Sequence, residues 1–86
     1  MSQLKKTIDR ILSDPSEMEY STVDALLRRF GYSILPTSNG SHISYWNENI
    51  DMKTPFIVVV HHGKVYEFDN IIEQLNLEDW HENDRQ

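Results

Sequence analysis

The chain has 86 residues, of which 38% are apolar and 26% charged, and it contains no cysteine. A chain this short supports one hydrophobic core, so two-domain architectures are excluded. The longest apolar run, residues 56–60, falls far short of the roughly 20 residues of a transmembrane helix, and no secretory signal begins the chain, so we expect a cytoplasmic protein with no membrane partner. The lack of cysteine excludes disulfides, thiolate nucleophiles and cysteine zinc sites.

The net charge of −6 is concentrated near the carboxyl terminus. Residues 1–30 and 31–66 are each balanced, whereas residues 67–86 carry one arginine against seven carboxylates. A negative net charge disfavours non-specific binding to polyanions such as nucleic acids. We therefore predict an acidic tail at residues 78–86, which is either a solvated end or a mask over an RNA surface.

Two amphipathic helices are predicted in the first third of the chain. The apolar stripe of the first consists of Leu4, Ile8, Ile11 and Leu12, and that of the second consists of Val23, Leu26, Leu27 and Phe30. Pro15 ends the first helix, which we place within residues 1–15, and a loop follows to residue 19. Ser21 or Thr22 can cap the second helix, which ends at Gly31.

After Gly31 the apolar pattern changes to the two-residue period of strands. We predict strands at residues 32–35, 42–46 and 56–62, with a possible short fourth strand at 65–68. Asp69 can cap a last helix. The order ααβββα favours one α+β domain, residues 1–86, in which an antiparallel three-stranded sheet carries helices on one face. The predicted core consists of Leu4, Ile8, Ile11, Val23, Leu26, Leu27, Phe30, Ile43, Tyr45, Val58, Ile71, Ile72 and Leu75, with Trp80 as a cap on it.

The strand at residues 42–46 presents three chemically useful side chains on one face. Alternation sends His42, Ser44 and Trp46 to the face opposite Ile43 and Tyr45, and the apolar pair should face the helices. The imidazole can take a proton from a ribose 2′-hydroxyl, and an exposed indole can stack on an unpaired base. This face therefore suits RNA.

A short motif around His42 resembles the signature of a known family. Gly31-Tyr32 at a helix end, followed by a strand, a polar loop and Gly40-Ser41-His42-Ile43-Ser44-Tyr45, is similar to the HicA family of bacterial toxins, with its G-S-H-x-x-aromatic signature. Residues 58–64 look like the family's later strand, and the resemblance covers most of the chain. It implies a fold like a double-stranded-RNA-binding domain. It also implies a metal-independent endoribonuclease that cleaves messenger RNA (an mRNA interferase) and is neutralised by a HicB-type antitoxin.

The resemblance also implies roles for individual residues. His42 corresponds to the family's catalytic histidine, Tyr45 to its buried aromatic and His62 to its second histidine. Around His42 we expect an RNA-binding set that consists of Gly40, Ser41, Ser44, Trp46, Lys53, His62 and Lys64. In this set the two lysines are the candidate phosphate contacts.

The chain departs from the family pattern at positions where basic residues or proline are expected. Val60 and His61 stand where proline and arginine precede the second histidine, and Asp69 and Glu73 stand in the last helix. Each missing cation removes a phosphate contact. The acidic balance favours the alternative hypothesis, an inactive interaction module of the same fold that binds a protein partner.

No metal site or cofactor is assigned from the sequence. His61 and His62 are adjacent in a predicted strand, so they point to opposite faces and cannot bind one metal ion together.

Overall fold

The computed structural model describes residues 3–84, with side chains described as far as His81. Within that range the elements are α1 (Gln3–Leu12), β1 (Met18–Glu19), α2 (Tyr20–Arg29), β2 (Ser33–Ile34), β3 (His42–Trp46), β4 (Phe56–Val59), β5 (Lys64–Val65), α3 (Asp69–Leu75) and α4 (Leu77–Asp84). Strands β2, β3 and β4 form one antiparallel sheet in that order, and β1 pairs with β5 in a second. The predicted α+β fold with a three-stranded antiparallel sheet is confirmed.

The second helix begins earlier than its predicted caps. Glu19 occupies the N-cap position without a side-chain hydrogen bond, and Ser21 and Thr22 lie inside α2. The backbone N–H of Tyr20 donates instead to the carbonyl of Gly63 at 2.9 Å. The pairing of β1 with β5 therefore sets where α2 starts, and the residues predicted as a loop contain β1.

The register of β3 and β4 separates the two faces of the sheet. It pairs His42 with Val59, Ile43 with Val58, Ser44 with Ile57 and Tyr45 with Phe56. Tyr45 and Val58 are buried in the core beneath the helices. On the other face Ile57 and Val59 remain 37% and 38% exposed. We call this second face, with His42, Ser44, Trp46, Ile57 and Val59, the open face.

The core contains the predicted apolar residues and several others. Of the predicted set, Leu4, Phe30, Ile43 and Ile72 are partly buried, and the remaining members are buried. Met18, Tyr32, Val65, Phe68 and Leu77 are buried as well. Met18 and Val65 are cross-strand partners, so the small sheet contributes its own pair to the core.

The later strands are shorter than predicted. The strand expected at residues 56–62 ends at Val59, because His61 and Lys64 exchange backbone hydrogen bonds, both of 2.9 Å, and close a hairpin turn. Beyond the turn, β5 pairs with β1, so it does not join the three-stranded sheet. Asp69 is the first residue of α3, and the N-cap position belongs to Phe68.

The acidic end of the chain forms a helix as far as Asp84. Asn76, with φ of 52°, ends α3 in the left-handed region and lets the chain turn into α4. Leu77 is fully buried and Trp80 packs on the core as predicted, so apolar burial holds α4 in place. Residues 85–86 of the predicted tail lie outside the described residues. No described helix has the length and apolarity to cross a membrane.

Candidate functional site

A tight loop presents His42 at the start of β3. Asn39 and His42 exchange backbone hydrogen bonds of 2.9 and 3.0 Å around the two-residue loop Gly40-Ser41. Gly40 has φ of +58°, while Ser41 does not have a positive φ, which is the pattern of a type II′ turn. The N–H of Val60 donates to the Ser41 carbonyl at 2.7 Å, so the loop is fixed to β4 as well.

The imidazole of His42 is exposed and has one near neighbour that can orient it. Ser41 Oγ lies 3.4 Å from His42 Nδ1. In the tautomer whose Nδ1–H donates to this hydroxyl, Nε2 keeps its lone pair and faces away from the contact. A general base needs such a free nitrogen.

The other two residues predicted on this face lie along β3, but they differ in access. Ser44 is buried, because the loop before β3 folds over it and its N–H donates to Ser38 Oγ at 2.9 Å. Trp46 is partly buried at the far end of the strand, opposite Ser33. Between these ends, the exposed methyl groups of Ile57 and Val59 line the open face. The face is therefore more apolar than the sequence predicts.

The two predicted phosphate contacts lie in different places. Lys53 is exposed in the loop between β3 and β4. Lys64 lies in β5 of the small sheet, where it forms a hydrogen-bonded ion pair with Glu17, and this pair raises the pKa of Lys64. A phosphate at Lys64 has to compete with the Glu17 carboxylate.

The second histidine of the predicted set stands in the hairpin turn after β4. His62 and Gly63 have φ of 53° and 76°, the pattern of a type I′ turn, and the His62 side chain is exposed. It lies three residues beyond Val59, the cross-strand partner of His42. No hydrogen bond between the two imidazoles is present among the described residues. Among the described residues, no three potential ligands gather as a metal site.

A partly buried hydrogen-bond network anchors β3 to α2 through Tyr45. The hydroxyl of Tyr45 donates to Asp24 Oδ1 at 2.6 Å and lies 2.6 Å from the hydroxyl of Tyr20. Asp24 Oδ2 in turn accepts from Arg28 Nε at 3.0 Å, which raises the pKa of that guanidinium. Burial, followed by the bonds to Asp24 and Tyr20, raises the pKa of Tyr45 far above its usual range. The strand that carries His42 is thereby fixed to the helical layer.

A small cavity at the edge of β4 was missed by the sequence analysis. Val59, His61, Tyr66, Glu67 and Asn70 line this cavity, which we call the edge pocket and which has a volume of about 80 Å³. The hairpin turn at residues 61–64 folds the polar segment after it back beside β4. These residues form no sequence motif, and the only available signal was the turn itself.

Comparisons of the chain with protein-family models, with curated proteins and with solved structures find no match. What the site can do chemically is therefore inferred from the positions of its own residues.

Proposed function

We propose that this chain is a HicA-like endoribonuclease that cleaves messenger RNA in the cytoplasm, with His42 as general base, and that a HicB-type antitoxin neutralises it. The placement of His42 carries this proposal. Its imidazole is exposed on the open face, and a two-residue loop tied to β4 fixes its backbone. The similarity of residues 40–45 to the family signature supports the same role.

The proposed reaction uses the substrate's own 2′-hydroxyl as nucleophile. His42 Nε2 accepts the 2′-hydroxyl proton, and the 2′-oxygen forms a bond to the adjacent phosphorus. The bond from phosphorus to the 5′-oxygen breaks, and that oxygen takes a proton from the imidazolium or from water. The products are a 2′,3′-cyclic phosphate and a 5′-hydroxyl end. Ser41 keeps the ring oriented through Nδ1, and none of these steps calls for a metal ion.

Substrate binding in this proposal depends on base contacts more than on charge. Trp46 offers a ring for stacking, and Ile57 and Val59 offer apolar contacts beside His42. Lys53 is the exposed cation of the predicted set, because Lys64 is paired with Glu17. Few phosphate contacts predict a weak dependence of affinity on salt.

The chemistry of the cleaved ends tests this mechanism. We expect the purified chain to leave 2′,3′-cyclic phosphate ends on RNA in the presence of a metal chelator. A single 2′-deoxynucleotide at a mapped cleavage position should abolish cleavage there and leave neighbouring positions unaffected. Cleavage that persists at the 2′-deoxynucleotide contradicts the mechanism, since no 2′-oxygen is then present to attack.

A second candidate function is a non-catalytic interaction module. The exposure of Ile57 and Val59, 37% and 38%, favours it, because two adjacent branched side chains on one sheet face suit an apolar protein contact. Replacing both with serine should then weaken binding of a protein partner without changing the fold. In a nuclease the same change should raise the RNA concentration needed for half-maximal cleavage, which separates the two functions.

A further inference from the structure

The edge pocket lies next to the proposed general base. Strand β4 is an edge strand of the three-stranded sheet, and Val59 in the pocket wall is the cross-strand partner of His42. Directly opposite residues in an antiparallel pair have Cα atoms about 4.5–5.5 Å apart. The pocket is therefore separated from His42 by a single strand, β4.

The size and lining of the pocket suit the edge of one planar base. At about 80 Å³ it is too small for a whole nucleotide. Its apolar and aromatic lining consists of Val58, Val59, Ile71 and Tyr66. Of these, Val59 and Tyr66 are exposed, at 38% and 44%, and can contact a ligand. The ring of Tyr66 can stack on a base, as aromatic side chains do in single-strand binding sites.

The polar groups of the pocket favour one base over the other three. Within the described residues, no ion pair or hydrogen bond engages the side chain of Glu67, so both carboxylate oxygens are available as acceptors. On its Watson–Crick edge guanine presents two neighbouring donors, N1–H and the N2 amino group. Adenine and cytosine present one amino group beside an acceptor, and uracil presents one N–H between two carbonyls. Only guanine can therefore donate to both oxygens of Glu67 at once.

We propose that the edge pocket binds a single guanine base of the RNA, next to the phosphodiester that His42 cleaves. This inference rests on the proposed function for its substrate class. Glu67 accepts from the guanine edge and Tyr66 stacks on the ring. Asn70 and His61 line the same pocket and supply an amide and an imidazole for the remaining polar atoms of the base. The carboxylate lowers affinity for RNA in general, because it repels phosphate, and raises it for guanine alone.

Binding of uncleavable RNA tests this proposal independently of catalysis. The probes are four fluorescent hexamers of 2′-fluoro uridine that carry guanine, adenine, cytosine or uracil at one central position, and affinity is measured by anisotropy. We expect the guanine hexamer to bind wild type about 10-fold more tightly than the others, within the range of one good bidentate contact. Tyr66→Ala should weaken the binding of all four hexamers, because the stacking ring is lost.

The decisive variant is Glu67→Gln, compared with Glu73→Gln as a matched control. Glu73 is an exposed carboxylate on α3 that does not line the edge pocket. We expect Glu67→Gln to weaken the guanine hexamer about 10-fold while the other three bind equally or more tightly. Glu73→Gln should change the affinities of all four hexamers by the same factor. A general loss of negative charge cannot lower the affinity for the guanine hexamer while it leaves the other affinities equal or higher.

The results separate this proposal from the proposed function. The guanine site is overturned if wild type binds the four hexamers with equal affinity or binds none of them. It is also overturned if Glu67→Gln changes all four affinities by the same factor. Guanine preference that disappears in Glu67→Gln supports the site even if ordinary RNA stays intact. In that case cleavage, and not the guanine site, is the part that fails.

Discussion

His81 Nε2 lies 2.6 Å from Asp9 Oδ1, and this contact joins α4 to α1. Desolvation raises the pKa of Asp9, but hydrogen bonds from Lys5 and His81 outweigh it, so the pKa lies below the ordinary value of 3.8. The acidic end of the chain is thus attached to the first helix by a contact with the Asp9 carboxylate as well as by apolar burial.

Asp9→Asn tests that contact through its pH dependence. A carboxylate with a lowered pKa stabilises the folded state above its unfolded pKa, and this contribution disappears as the pH falls through the folded pKa. We expect the variant to be less stable than wild type at pH 6 and the difference to shrink below pH 3.8. Urea denaturation across this range is the measurement, and Asp51→Asn, in an exposed loop, is the control. A difference that does not change with pH contradicts the assignment.

Leu77→Ala tests whether α4 is part of the folded domain. Leu77 is fully buried, so removing three carbons leaves a cavity in the core. We expect a loss of about 2–5 kcal/mol in the free energy of unfolding, which is large for so small a domain. Replacing the exposed Glu78 with alanine should change it by less than about 0.5 kcal/mol. Equal stabilities for the two variants mean that α4 is peripheral.

Tyr45→Phe tests the network that anchors β3 to α2. The folded pKa of the Tyr45 hydroxyl lies above its ordinary value of 10.0, so its stabilising contribution is complete below pH 10 and is lost as the pH rises beyond it. We expect wild type to exceed the variant by about 1–2 kcal/mol at pH 7. Above pH 10 the gap should narrow by up to about 1.4 kcal/mol per pH unit. Denaturation of both proteins between pH 8 and pH 11 checks this, and a constant gap contradicts it.

His62→Asn tests whether the left-handed backbone conformation of His62 lowers the stability of the fold. Asparagine tolerates the left-handed region better than histidine and is favoured before glycine in a type I′ turn. With φ of 53° at His62, we expect the change to stabilise the fold by about 1 kcal/mol. His61→Asn, at a position without positive φ, should give no gain. If His62→Asn is also neutral, the turn is not strained.

The sequence predicts the elements whose side chains repeat with a clear period. The stripe of Val23, Leu26 and Leu27 located α2, and the alternation from His42 to Trp46 located β3 at its observed bounds. Both patterns are local, so a single stretch of sequence contains them. The loop that presents His42 was also predicted, because Gly40 supplies the positive φ that a two-residue turn needs.

The parts that were missed depend on contacts between distant segments. Strand β1 has two residues and exists because Met18 and Glu19 pair with β5, which no local pattern records. Helix α4 looks polar in sequence, and only the packing of Leu77 and Trp80 shows that it belongs to the domain. The edge pocket arises where the turn at His62 brings residues after β5 beside β4, so its members are far from any motif.

Cleavage of messenger RNA by wild type and His42→Ala, each without antitoxin, tests most directly whether His42 is the general base. We expect wild type to cleave and His42→Ala to be slower by about 10²–10⁴-fold, while its free energy of unfolding changes by less than about 0.5 kcal/mol. His81→Gln, which alters a histidine remote from the open face, should cleave like wild type. Equal cleavage by wild type and His42→Ala, or intact transcripts with wild type, would contradict the assignment.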